Sequence, residues 1–142
     1  MLLPDVNVLI GAHRSDSTLH APCRDWLRSV YAGEEAFGLC APVLVGLVRI
    51  LTHPRVFDPP DTHEQAWSFV RSLVSHPNAL LLNPGRAHLA LFEGLCRDAG
   101  AGGDLVPDAY LAALALETGA TLVSADRDFD RFPGVARIDP LA

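Results

Sequence analysis

Apolar residues occur in short bursts separated by longer stretches of helical spacing, and this alternation sets the expected architecture. Residues 2–6 read as a short buried strand, and residues 7–12 open a helical turn. Residues 17–31 carry a helical period ended by Gly33, and a second strand follows at residues 36–40. Pro42 suits the first turn of a helix that contains residues 43–51 and stops before Pro54. Pro59-Pro60-Asp61-Thr62 forms a loop and cap ahead of a helix over residues 64–75, where Trp67, Val70 and Val74 share one face. His76-Pro77 ends that helix, and residues 79–82 form a third strand. Residues 86–99 are helical again. Gly100, Gly102 and Gly103 make a loop, and Asp104 is placed as the N-cap of a helix running to Gly119. Residues 121–124 form a fourth strand and residues 135–138 a fifth.

Short strands alternating with helices predict a parallel sheet covered on both faces. The expectation is an α/β protein: a single three-layer α/β/α domain over residues 1–142 with a four- to five-stranded parallel sheet. No repeat, linker or low-complexity tract interrupts it.

Composition narrows the function classes. The chain is 49% hydrophobic and 20% charged, as expected of a globular domain. Its apolar runs end well before the roughly 18 residues of a membrane span. The opening Met1-Leu2-Leu3-Pro4-Asp5 has no basic segment of a secretory signal, so a cytoplasmic protein is expected. Cys23, Cys40 and Cys96 show no metal-like spacing and read as reduced core residues. A net charge of −6 argues against nucleic-acid binding by bulk electrostatics. It leaves room for a nuclease whose carboxylates hold cations. All eleven basic residues are arginine, the side chain suited to bidentate phosphate contacts, although codon bias produces the same pattern.

The chemistry-bearing residues are aspartates placed at strand ends. Asp5 closes the first strand, Asp126 and Asp128 follow the fourth, and Asp108 lies near the start of the helix before it. In an open parallel sheet ligands bind beyond the carboxyl ends of the strands, where these acids can converge. Converging carboxylates repel, and their natural occupant is a hard dication such as Mg²⁺ or Mn²⁺. Metal-assisted phosphodiester cleavage is therefore the leading expectation. The same residues also have ordinary readings: Asp5 and Asp104 as helix caps, Asp126 and Asp128 as turn residues. His13 and Arg14, just past the first acid, are candidates for contact with substrate phosphate. A receiver-like phosphorylation domain needs a late lysine, and the chain has none.

Three segments carry a family resemblance: residues 3–9 (LPDVNVL), residues 105–115 (LVPDAYLAALA) and residues 119–132 (GATLVSADRDFDRF). In this order and spacing the chain resembles a PIN domain, and most of all the VapC toxin ribonucleases of VapBC toxin–antitoxin pairs. Residues 44–57 look like the third helix of those toxins. The resemblance implies a cytoplasmic Mg²⁺-dependent endoribonuclease, with Mn²⁺ as substitute, silenced by a cognate VapB-type antitoxin. It implies Asp5, Asp108 and Asp126 as catalytic metal ligands, Asp128 as a fourth, and Asn7 and Ser124 as small polar residues orienting them. One departure stands out: the family's third helix carries a glutamate where this chain has Gly46. Loss of that ligand opens an alternative, a catalytically weakened PIN-fold module that only binds RNA or protein, with Asp104 or Asp128 as compensating acid otherwise. The resemblance further implies an antitoxin helix seated in an apolar groove, expected between the helices at 17–31 (Trp26, Leu27, Val30) and 61–76 (Trp67, Val70). An antitoxin arginine then competes for the aspartates, and a homodimer spans a two-fold operator.

Overall fold

A computed structural model describes residues 1–142. Its elements run β1 (Leu2–Pro4), α1 (Val6–His13), α2 (His20–Ala32), β2 (Phe37–Cys40), α3 (Ala41–Leu51), α4 (His63–Val74), β3 (Ala79–Leu82), α5 (His88–Ala99), α6 (Leu105–Thr118), β4 (Thr121–Val123) and β5 (Arg137–Ile138). A short 3₁₀ helix, Arg127–Arg131, lies between the last two strands. The strands form one sheet in the order β3-β2-β1-β4-β5, and every pair is parallel.

That order fixes the layers. Crossovers between parallel strands are right-handed, so a chain stepping one way across the sheet keeps its helices on one face. The steps β1 to β2 to β3 put α1–α4 on one side, where α1 packs on α2 and α3, and α3 on α4. The step back from β3 to β4 puts α5 and α6 on the other side, packed together. The three-layer α/β/α expectation is met, with five strands.

Several boundaries differ from the sequence reading for identifiable reasons. β1 ends at Pro4 because Asp5 turns the chain as the N-cap of α1, with φ −71° and ψ 156°. α2 starts at His20 and not at Ser17, because the Ser17 hydroxyl accepts the Leu19 N–H and holds a turn first. α5 starts at His88 because Glu117 on α6 captures the N–H groups of Gly85 and Ala87. α4 starts where expected, with a capping box between Thr62 and Gln65. Asp104 occupies the N-cap position of α6 but its side chain makes no cap hydrogen bond.

The core lies between the sheet and both helical layers, and includes Leu3, Leu9, Phe37, Leu47, Leu114, Leu122 and Phe129, all essentially inaccessible. Leu47 projects from α3 into this core with no exposed surface. Leu47→Ala is expected to lower unfolding free energy by about 3 kcal/mol, the usual range for a buried leucine truncation, measurable by urea denaturation.

Candidate metal centre

β1 and β4 lie side by side at the centre, and the chain leaves them in opposite directions, toward β2 on one side and β5 on the other. The divergence opens a crevice at their carboxyl ends, the position at which open α/β sheets bind ligands. Asp5 follows β1 and Ser124 follows β4. α6 ends at Gly119, whose φ of 71° is a left-handed cap that turns the chain directly into β4. The helix therefore runs antiparallel to β4 and brings its N-terminal turns, with Asp108, to the same edge.

Asp5 is 6% exposed and fully bonded to its surroundings. Its Oδ1 accepts the Val6 N–H at 2.7 Å, and its Oδ2 accepts the Ser124 hydroxyl at 3.1 Å. Burial raises its pKa above the ordinary aspartate value, opposed by those two hydrogen bonds and reinforced by the charge of Asp126. Ser124, 1% exposed, connects the two strand ends: it donates to Asp5 and accepts the Asp126 N–H at 3.0 Å. Asp126 in turn accepts the Asp128 N–H at 2.8 Å, which starts the 3₁₀ helix. The turn reading and the ligand reading of Asp126 are thus compatible, since one oxygen holds the turn and the other is left for a ligand.

Asp108, Asp126 and Asp128 each present a carboxylate oxygen within 4.8 Å of the others. Asp5 lies outside this trio but close enough for its charge to act on Asp108. The pKa of Asp108 is raised to about 7, first by desolvation and then by the charges of Asp5, Asp126, Asp128 and Asp104. The donor set fits a hard dication. It contains only oxygen, and ligands of one Mg²⁺ at ~2.1 Å lie about 3–4 Å apart, so small side-chain movements close the trio around an ion.

Among the other sequence candidates, Asn7 is exposed and borders, with Asp126, a cleft of about 340 Å³ lined also by Val8, Ile10, Thr18 and Leu19. His13 and Arg14 lie at the opposite end of α1 from Asp5 and are already engaged. His13 Nε2 is 2.6 Å from Asp61, and its ring stacks on Phe69. Arg14 pairs with Asp61 and Asp16 and lies over Phe57. In the structure that guanidinium is thus paired with two carboxylates and ties the end of α1 to the 59–61 loop. Asp61, only 7% exposed, lies in the expected loop; nothing in its Pro-Pro-Asp-Thr context signals that it anchors α1.

Gly46 lies on α3 where a Cβ would sit 3.5 Å from Val6 Cγ2, an ordinary contact with the residue following Asp5. The position has room for a side chain on the α1 side. The expected groove between α2 and α4 is not the one observed. Leu27 and Val30 are buried in the core, whereas Trp67 and Val70 face α3. The apolar groove, about 420 Å³, therefore runs between α3 and α4, lined by Ala41, Leu44, Val45, Val48, Trp67 and Val70.

Comparison with known proteins agrees with this architecture. The profile of the PIN domain matches residues 2–135. A VapC ribonuclease of Mycobacterium bovis, Mb2897, is 45% identical over 132 residues, covering 93% of this chain and 90% of its own. Ribonuclease VapC31 of Mycobacterium tuberculosis is 41% identical over 140 residues, covering 99% of both. The crystal structure of VapBC2 from Rickettsia felis bound to a promoter DNA fragment contains a chain that superposes with a TM-score of 0.70 at 16% identity, covering 97% of each; at that identity the likeness speaks for the fold. The five-stranded parallel α/β fold matches that of this VapBC2 chain. The chain belongs to the PIN-domain family, and within it to the VapC group.

Proposed function

We propose that the protein is a divalent-metal-dependent endoribonuclease, the toxin of a toxin–antitoxin pair. The observation that carries this reading is the oxygen-only trio of Asp108, Asp126 and Asp128 at the switch point, with the pKa of Asp108 raised to about 7 by burial first and by the neighbouring carboxylates second. A module that merely binds RNA or protein has no use for carboxylates held together against repulsion. The ribonuclease names of the VapC relatives give the substrate class.

Asp108, Asp126 and Asp128 would hold Mg²⁺, or Mn²⁺ as substitute. Such an ion supplies Lewis-acid polarisation of a phosphodiester oxygen and lowers the pKa of water toward neutrality. Asp5 and Ser124 act behind the trio: Ser124 fixes the Asp5 carboxylate and the Asp126 backbone, so the acids do not splay apart. Asn7 and the cleft beside Asp126 would receive a nucleotide of the substrate, a reading supported by polar groups and by Val8, Ile10 and Leu19 in the cleft lining.

The partner in this reading is a VapB-type antitoxin, with a homodimer of the toxin in the assembled complex and a cytoplasmic location. Its apolar segment would occupy the α3/α4 groove around Trp67 and Val45, which are 40% and 66% exposed. A basic side chain on it would compete with the metal for the aspartates.

Purified protein is expected to cleave single-stranded RNA with Mg²⁺ or Mn²⁺ and to stop when EDTA is added. Undiminished cleavage in excess EDTA would exclude the metal mechanism. The glycine on α3 gives a second expectation. Gly46→Glu should tighten Mg²⁺ binding roughly tenfold in calorimetry, because it adds a carboxylate beside the residue that follows Asp5. Unchanged affinity in a folded variant would mean that α3 does not complete the site.

A further inference from the structure

The segment carrying Asp126 and Asp128 is held at both ends by one side chain. Arg137, on the edge strand β5, is only 16% exposed along its side chain. Its Nε and Nη2 donate to the two oxygens of Asp130 at 2.9 and 3.0 Å. Its Nη1 donates to the main-chain carbonyl of Ser124 at 2.8 Å. Ser124 is the residue leaving β4, and Asp130 lies in the 3₁₀ helix; Asp126 and Asp128 sit between them. One planar guanidinium thus closes the 124–130 segment like a clasp.

We propose that Arg137, locked by Asp130, is a positioning residue that presents Asp126 and Asp128 toward Asp108 before any cation arrives. The inference rests on the metal-site reading above. Its physical basis is the mismatch between what the segment must do and what its own sequence supplies. Two of the three gathered carboxylates lie on it, and their repulsion from Asp108 favours an opened segment when no cation is bound. Within the segment, the Asp126 N–H bonds to Ser124 and the Asp128 N–H to Asp126, and the buried ring of Phe129 anchors the 3₁₀ helix to the core without fixing where the two acids point. The contact that joins its two ends is the one through Arg137. Ser124 is also the residue that fixes Asp5, so the clasp reaches the β1 side of the site through the same residue.

The alternative is that the Asp130–Arg137 pair only staples β5 to the sheet. Asp130 is 57% exposed, so the pair is open to solvent on its carboxylate side and adds little stability as an ion pair alone. The two roles differ in what lysine can replace. Lysine keeps the charge but cannot grip a carboxylate with two nitrogens and a carbonyl with a third. If charge alone matters, Arg137→Lys behaves as the unmodified protein; if the clasp matters, it fails.

The test uses the full chain without RNA and three variants: Arg137→Lys, Arg137→Gln and Asp130→Asn. Asp130 is exposed, so its variant folds even if the Arg137 variants do not. Mn²⁺ and Mg²⁺ affinity is measured by calorimetry, and amide hydrogen exchange of Asp126 and Asp128 is followed in metal-free protein. The expected result is a metal affinity weakened about tenfold, the usual effect of losing a residue that orients ligands, with faster exchange at both amides. RNA cleavage should then recover at high Mg²⁺, moving the metal dependence while leaving the maximal rate. Unchanged affinity and exchange in folded variants would overturn the clasp, and a lower melting temperature alone would assign the pair to β5. If the unmodified protein binds neither cation, the metal-site reading itself falls, and the clasp with it.

Discussion

Asp108→Asn is expected to lower RNA cleavage on the order of a thousandfold while making the metal-free protein more stable at about pH 8. The two effects have one cause. Asp108 is the trio member contributed by α6, from the opposite side of the crevice to the β4 exit. In the proposed site, losing its charge would remove the one ligand that α6 contributes. In the absence of metal the same charge is unfavourable, because Asp108 is partly desolvated and faces Asp5, Asp126, Asp128 and Asp104. Its folded-state pKa of about 7 exceeds the unfolded value of 3.8, so the folded state binds the proton more tightly. The protonated form therefore favours folding at low pH, and that contribution is lost as pH rises from about 4 through about 7. Asparagine carries no such penalty. The variant should melt higher than the unmodified protein at about pH 8, with the difference shrinking toward pH ~4, where Asp108 is neutral in both states. Thermal melts of chelated protein across that range are the measurement. Wild-type cleavage by the variant, or an equal gain in stability at every pH, would remove Asp108 from the site.

Much of this could be read from the chain before its structure, but unevenly. Strand and helix identities follow from hydrophobic periodicity, because each layer must bury a face of fixed spacing; the strand order follows less directly, from contacts distant in sequence. Asp5, Asp108 and Asp126 could be picked out only as a set: each has an ordinary reading as a cap, first-turn or turn residue, but the parallel topology brings all three to one sheet edge. How tightly they gather was not legible: the trio includes Asp128 and leaves Asp5 behind Ser124, a distinction set by the 3₁₀ turn after β4. Arg14 and His13 looked free because their partner Asp61 is 47 and 48 residues away, across a loop whose path has no local signature. Arg137 had no signal at all, since an arginine on a two-residue edge strand normally faces solvent. The groove was misplaced for a similar reason. Amphipathic spacing shows that Trp26, Leu27, Trp67 and Val70 share apolar faces, but not which helix each face meets.

Divalent cations are expected to reverse the pH dependence of stability. A ligand that binds only the folded state adds RT ln(1 + [L]/Kd), about 2.7 kcal/mol at a hundredfold excess over Kd. For a domain of this size that corresponds to a rise in melting temperature of roughly 5 °C or more. The gain requires an ionised Asp108, so it should be full above about pH 7 and fade below it as the proton competes for the carboxylate. Metal-free protein should lose stability from about pH 4 to pH 8, whereas protein in excess Mn²⁺ should hold or gain it over the upper half of that range. Ca²⁺, larger and seeking six to eight oxygens, should stabilise less than Mn²⁺ at equal concentration, because three carboxylates supply too few donors. The experiment is a melting series in Mn²⁺, Mg²⁺, Ca²⁺ and EDTA at several pH values, repeated with Asp108→Asn. Equal stabilisation of the unmodified protein and the variant would place the cation elsewhere on the acidic surface. A shift present at about pH 8, absent near pH 5 and abolished by Asp108→Asn would tie it to the crevice between β1 and β4.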